Sequence, residues 1–136
     1  MASTVTEYTQ AKQMIREFGV DGRTLKLALV DSTYTFSAAH DEWADASGDE
    51  ITGTAYTAGG ETLTGVTVAA DGTIDANDIT WTTATITFRA GIIYFSGTID
   101  GKTNPVLFYY LYDDTPADIV VVASNFTHVV AAGGIV

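Results

Sequence analysis

Residues 51–95 read ITGTAYTAGGETLTGVTVAADGTIDANDITWTTATITFRAGIIYF. The stretch is rich in Thr, Ile, Val, Tyr, Phe and Trp, side chains that suit a pleated, half-buried surface. Turn formers interrupt it at Ala58-Gly59-Gly60, Asp71-Gly72 and Ala76-Asn77-Asp78, so it reads as several short strands. Residues 51–57 and 62–69 are predicted strands. Gly65 inside the second suggests a bulge or a close backbone approach. Ile79 and Trp81 share one face, whereas from Ala84 the apolar set (Ala84, Ile86, Phe88) moves to even positions. A one-residue slip exchanges the two faces of a strand, so a bulge or corner is expected at Thr82-Thr83. Residues 91–95 are apolar on both faces, as befits a central strand.

Downstream, Asp100-Gly101-Lys102 is a turn, and residues 106–112 form a strand carrying Phe108, Tyr109, Tyr110 and Tyr112. After a turn at Asp113-Asp114-Thr115-Pro116, residues 118–123 and 126–130 are predicted as the last two strands, with a Gly133-Gly134 break beyond them. Upstream, residues 24–30 alternate. Leu25, Leu27 and Leu29 fall on one face and Lys26, Ala28 and Val30 on the other, which predicts a strand with one strongly buried side. Residues 32–36 are expected to extend or pair with it. Residues 37–50, SAAHDEWADASGDE, are acidic and unpatterned, and predict a long loop anchored by Trp43.

The only predicted helix spans residues 6–18. Tyr8, Ala11, Ile15 and Phe18 recur at helical spacing with Met14 beside them. Thr6 suits the N-cap, Glu7 the first turn, Arg16 the last, and Gly19 the stop, before a turn at Val20-Asp21-Gly22-Arg23. A helix this short is marginal alone, so its stripe must dock on the sandwich or on a neighbouring subunit. The fold class is therefore all-β: an antiparallel β-sandwich or jelly roll with one short N-terminal helix. Residues 1–23 read as an N-terminal arm and helix, and residues 24–136 as the sandwich domain.

The chain has 136 residues, a length that fits one domain with an ordinary core. Its 17 acidic and 6 basic residues give a formal net charge of −11. That argues against nucleic acid as a direct partner, because phosphate binding needs clustered Lys and Arg. The acid serves solubility or matches a basic partner surface. Cysteine is absent, which excludes disulfides and thiolate chemistry. No basic region followed by an apolar run opens the sequence, so no secretion signal is expected. No segment approaches the ~20 apolar residues of a membrane-spanning helix, so no membrane partner is expected.

No reaction centre stands out. Asp41, Glu42, Asp45, Asp49 and Glu50 crowd one loop, and Asp75 and Asp78 flank another, but neither has EF-hand spacing, so they read as solvated loop acids. Asp113-Asp114 are adjacent turn residues whose carboxylates tend to diverge. His40 is read as a loop residue and His128 as an outward strand position. Asn125-Phe126-Thr127 is a sequon, which matters only in a secreted chain. The Thr-rich run 82–87 reflects strand preference before it suggests ice or sugar binding. Tyr109, Tyr110, Tyr112 and Trp81 could form a sugar-stacking platform, but fill a core or an interface equally well. The expectation is a non-enzyme, with no catalytic residues, cofactor or metal.

Read together, the motifs resemble a group of small tailed-phage virion structural proteins, the capsid cement or decoration proteins. The resemblance runs through Tyr8-Thr9-Gln10-Ala11-Lys12 with Phe18-Gly19-Val20-Asp21, and through Leu25-Lys26-Leu27-Ala28-Leu29 with Ser32-Thr33-Tyr34-Thr35 and His40. Its most specific elements are Gly53-Thr54-Ala55-Tyr56-Thr57-Ala58-Gly59-Gly60 with Leu63, and Asp75-Ala76-Asn77-Asp78-Ile79-Thr80-Trp81. The strands at 91–94 and 105–112 continue it, and Asn125-Phe126-Thr127 and Gly134-Ile135 match more weakly. The acidic loop and the short tail depart from the pattern. The resemblance implies a protein of the capsid exterior, made in the host cytoplasm, that binds the major capsid protein at capsomer junctions as a homotrimer. Candidate contact residues are Tyr8, Ala11, Met14, Ile15, Phe18, Trp43 and Tyr109. A virion carbohydrate- or receptor-binding module, or a tail or connector protein, is the alternative.

Overall fold

Alternating large apolar residues on both faces place Ala90–Ser96 (β7) at the centre of a five-stranded antiparallel sheet. A computed structural model describes residues 4–20, 22–113, 115 and 117–130. The strands in chain order are β1 (Thr4–Glu7), β2 (Thr24–Val30), β3 (Glu61–Thr62), β4 (Thr67–Val68), β5 (Ile74–Asp75), β6 (Ile79–Phe88), β7, β8 (Thr98–Ile99), β9 (Lys102–Thr103), β10 (Val106–Leu111) and β11 (Ile119–His128). The main sheet runs β1-β10-β7-β2-β3, and the long strands β6 and β11 pair as a separate ribbon. β4–β5 and β8–β9 are small hairpins. The β8–β9 hairpin turns on Asp100 (φ 52°) and Gly101 (φ 74°), the left-handed pair that a two-residue Asp-Gly turn requires.

Both faces of the main sheet are covered. On one, Leu25, Leu27, Leu29, Ile93 and Phe95 pack with Ile79, Trp81, Ala84, Ile86, Phe88 and Val121 of the ribbon, forming the larger core between two layers. On the other, Ala28, Val30, Ala90, Ile92 and Tyr94 pack against Tyr8, Tyr34, Trp43 and Ala46. β2 is accordingly buried on both sides, not one, because the loop 31–50 lies over its second face. The chain is all-β and sandwich-like, with antiparallel pairing throughout and a single α-helix among the described residues. The pairing supports this layering and stops short of a jelly roll.

Irregularities in two of the pairings set the register. In β10, Val106 faces Tyr94 while Phe108 faces Ile93, so Leu107 is an extra residue. Leu107 and Phe108 therefore both reach the larger core, although they are neighbours in sequence. In the ribbon, Ala84 pairs with Ser124 and Trp81 with Phe126, which leaves Thr82 and Thr83 opposite one residue, Asn125. Thr83 is left-handed (φ 50°) and its N–H donates to Asn125 Oδ1 at 2.8 Å. The bulge lies where the change of parity predicted it. It lets Trp81 and Ala84 face the same core.

Other expectations are corrected. The helix, α1, spans Ala11–Phe18 and not residues 6–18. Thr6 and Glu7 pair with Tyr109 and Phe108 as part of β1, so Thr6 is no N-cap and Tyr8 is off the helix. Pairing with β10 takes these residues into the sheet and sets Tyr8 in the core of its second face. Gly19 does end the helix, at φ 72°. Residues 4–20 thus give a strand to the main sheet and Ala11 and Met14 to its core. Residues 51–57 are not a strand: their one pairing with β6 is an isolated bridge between Thr54 and Thr85. Residues 62–69 break into the ends of two short strands around Gly65. Residues 32–36 are not a strand, and the two strands expected at the C-terminal end are one, β11. Asp21, Asp114, Pro116, Gly133, Gly134 and Ile135 lie outside the described residues.

Candidate contact surfaces

The residues named as contact candidates separate into two groups. Tyr8, Ala11, Met14 and Trp43 are buried in the chain's own cores and offer no surface to a partner in this fold. Ile15, Phe18 and Tyr109 are half-buried at the core margins. The outward side of α1 carries Lys12, Gln13, Arg16 and Glu17.

The buried group organises the loop over the second face. Trp43 lies flat on Tyr94, with ring centroids 5.3 Å apart and planes 4° apart, which makes it the anchor expected of the acidic loop. Its backbone N–H donates to Asn104 O at 2.8 Å. Tyr8 Oη lies 2.7 Å from Tyr34 Oη, which lies 2.8 Å from His40 Nδ1. Burial raises the phenol pKa of both tyrosines. Phe36 and Tyr109 close this cluster, with ring centroids 4.9 Å apart.

The loop acids are occupied in holding backbone and neighbouring side chains. Asp45 Oδ2 accepts from the N–H groups of Asp41 and Glu42, and these bonds hold its carboxyl below the usual range. Glu42 accepts from Thr103 N at 2.6 Å, and Lys102 Nζ donates to Asp41 at 2.7 Å. Glu50 Oε1 accepts from Tyr56 Oη and Gly59 N, each at 2.7 Å. Asp78 and Asp113 accept from the N–H groups of Val130 and Thr115. Among the described residues, no three of His, Cys, Asp and Glu converge as a metal site would require.

The segment Gly53–Gly60 explains itself as a brace. Tyr56 Oη accepts from Leu29 N at 2.9 Å while donating to Glu50. Tyr94 Oη donates to Gly59 O at 2.5 Å, and burial raises that phenol's pKa to about 12. A Cβ on Gly60, at φ 84°, would stand 2.1 Å from Leu27 O, and one on Gly53 would stand 2.4 Å from Thr85 O. Only glycine lets this segment lie against β2 and β6 at once.

His128 is a correction. It is not outward but 3% exposed, with Nδ1 2.9 Å from Tyr112 Oη and its ring edge-on to Tyr110 and Tyr112. Burial lowers its pKa to about 4, against the opposing pull of the Asp78 carboxylate. It falls inward because the bulge at Val122-Ala123 resets the parity of β11. The sugar-stacking platform is not assembled either. Trp81 and Tyr112 are buried, and Tyr109 and Tyr110 point to opposite faces of β10.

Sequence reading missed the outer face of the ribbon. Val120 and Val122 are 65% and 68% exposed, beside a field of threonines. Thr80 Oγ1 and Thr127 Oγ1 are 2.9 Å apart across the strands, and Thr85 Oγ1 accepts from Ala123 N at 3.1 Å. Neither ten-residue strand contains Asp, Glu, Lys or Arg. That gap in an otherwise acidic sequence was the available signal. A cleft of about 360 Å3 opens beside the ribbon between Asp31, Glu50 and Thr87, but the Glu50 oxygen that the brace uses is already engaged. No family model, curated protein or solved structure matches the chain.

Proposed function

We propose that the protein is a structural component of a tailed-phage virion: a cement or decoration protein on the capsid exterior that binds the major capsid protein at capsomer junctions, with a homotrimer as its working form. The observation that carries this reading is the motif resemblance, anchored in the segment Gly53–Gly60 and in Asn77-Asp78-Ile79-Thr80-Trp81. The geometry supports it indirectly. The conspicuous residues of both motifs serve as scaffold, and the aromatic side chains are largely taken up in two cores. What remains outside is an acidic surface, a helix flank bordered by Ile15 and Phe18, and a charge-free ribbon. These are means of covering and gripping other proteins without chemistry.

A cement protein resists opening of the shell by burying area across the junctions it spans. At ~25 cal/mol per Å2 of apolar area, less the costs of association, a standard-sized contact repeated around a shell gives large collective stabilisation. The test is the copy number of this chain in purified particles, measured by quantitative mass spectrometry against the major capsid protein. Many copies per particle are expected. A few copies would move the assignment to a tail or connector, and absence from particles would overturn it.

A further inference from the structure

We infer that the outer face and free edge of the β6–β11 ribbon form a contact between copies of this chain, centred on Val120 and Val122. The inference rests on the ribbon alone and does not depend on the capsid reading.

β11 pairs with β6 on one side, and among the described residues no strand pairs with its other edge. An unpaired ten-residue edge is a template for another strand, and proteins usually blunt such edges with charge or proline. Here neither is used: the strand reads IVVVASNFTH. Val120 and Val122, on the face turned away from the core, are the two most exposed large apolar residues among those described. Threonines 80, 82, 85 and 87 extend the same face across β6 and add hydroxyls without formal charge.

Charge selects the occupant. The chain carries a net −11, and all of that charge lies outside the two ribbon strands. A basic partner is drawn to the acidic surfaces and gains nothing electrostatic from the ribbon. A second copy meets like charge elsewhere and can approach closely where the charge is missing. At the ends of the ribbon, Asp118 is neutralised by Arg89 at 2.9 Å, and Asp78 accepts from Val130 N. The bulge at Val122-Ala123, with Ala123 at φ 45°, breaks the edge into shorter runs. This twist opposes open-ended stacking and favours a closed assembly of a few copies.

The test uses the full chain in sedimentation equilibrium from about 1 μM to about 1 mM, at low and moderate salt. Concentration-dependent association that strengthens with salt is expected, because salt screens the acidic surfaces but not an uncharged contact. The pair V120K/V122K is expected to weaken association at least ~10-fold, whereas V68K, a lysine at an exposed valine of β4, leaves it unchanged. Hydrogen exchange on the associated form is expected to gain protection at residues 119–128. A wild-type chain that stays monomeric across this range overturns the proposal. So does an equal response to V68K, or protection gained elsewhere with none in β11.

Discussion

His128 and Tyr112 form a buried pair in which burial, geometry and titration act on the same atoms. His128 has a folded pKa of about 4 against an ordinary 6.5. The folded state therefore resists a proton that the unfolded chain accepts. Stability from this source is fully present above about pH 6.5 and is lost progressively as pH falls to about 4. The difference corresponds to about 3 kcal/mol at the acid end. Urea unfolding at pH 7 and pH 4.5 should show a smaller loss for His128→Leu than for the parent, although the variant starts less stable because Tyr112 loses its partner. An identical pH slope in the two proteins would mean that His128 does not titrate in this way. The histidine also marks a limit of sequence reading. Its burial follows from the bulge in β11 at Val122-Ala123, which left no trace in the apolar parity, whereas the bulge in β6 at Thr82-Thr83 did.

At the scale of elements, the loop 31–50 behaves as a layer. It lies over the second face of the sheet, and Trp43 stacked on Tyr94 holds it there. Trp43→Ala is expected to cost about 3 kcal/mol of stability, at the lower end for a large aromatic because Trp43 keeps a little exposure. It should also open residues 37–50 to limited proteolysis while Trp81, in the other core, keeps its buried fluorescence. Trp43→Phe should restore most of the resistance. Cleavage at the parental rate in Trp43→Ala would show that the loop is held by other contacts. The anchor was legible because a lone Trp in a polar acidic run has few other uses. The central strand β7 and the bulge at Thr82-Thr83 were legible because apolar parity records burial directly. The start of the helix was not: Tyr8 and Ala11 fit a helical stripe by spacing, yet β1 takes Thr6 and Glu7 through pairing with β10, a partner about a hundred residues away. Residues 51–57 alternate like a strand because both sides of the segment meet protein, at β2 and at β6, with little ladder hydrogen bonding.

For the whole molecule, the uneven charge makes a prediction that local contacts cannot. Two ion pairs are found among the described residues, Arg89–Asp118 and Lys102–Asp41, and both are substantially exposed. Screening them removes little attraction. Screening the mutual repulsion of a chain with net charge −11 removes more. At neutral pH and low protein concentration, raising sodium chloride from about 10 mM to about 0.3 M should raise the thermal midpoint by roughly 3–5 °C, or about 1 kcal/mol for a chain of this length. Most of the gain should come before about 0.1 M, where the Debye length is already about 10 Å. Near pH 4.1, the sequence isoelectric point, the repulsion vanishes and the salt increment should vanish with it, even though the His128 shift predicts a less stable protein there. Hydrophobic strengthening by salt would instead persist at pH 4.1 and keep growing with concentration. The two causes are thus separable by the same melting curves. A midpoint that falls with salt at neutral pH would show that attraction between unlike charges outweighs repulsion in this fold. It would also remove the electrostatic reason for copies to meet at the uncharged ribbon.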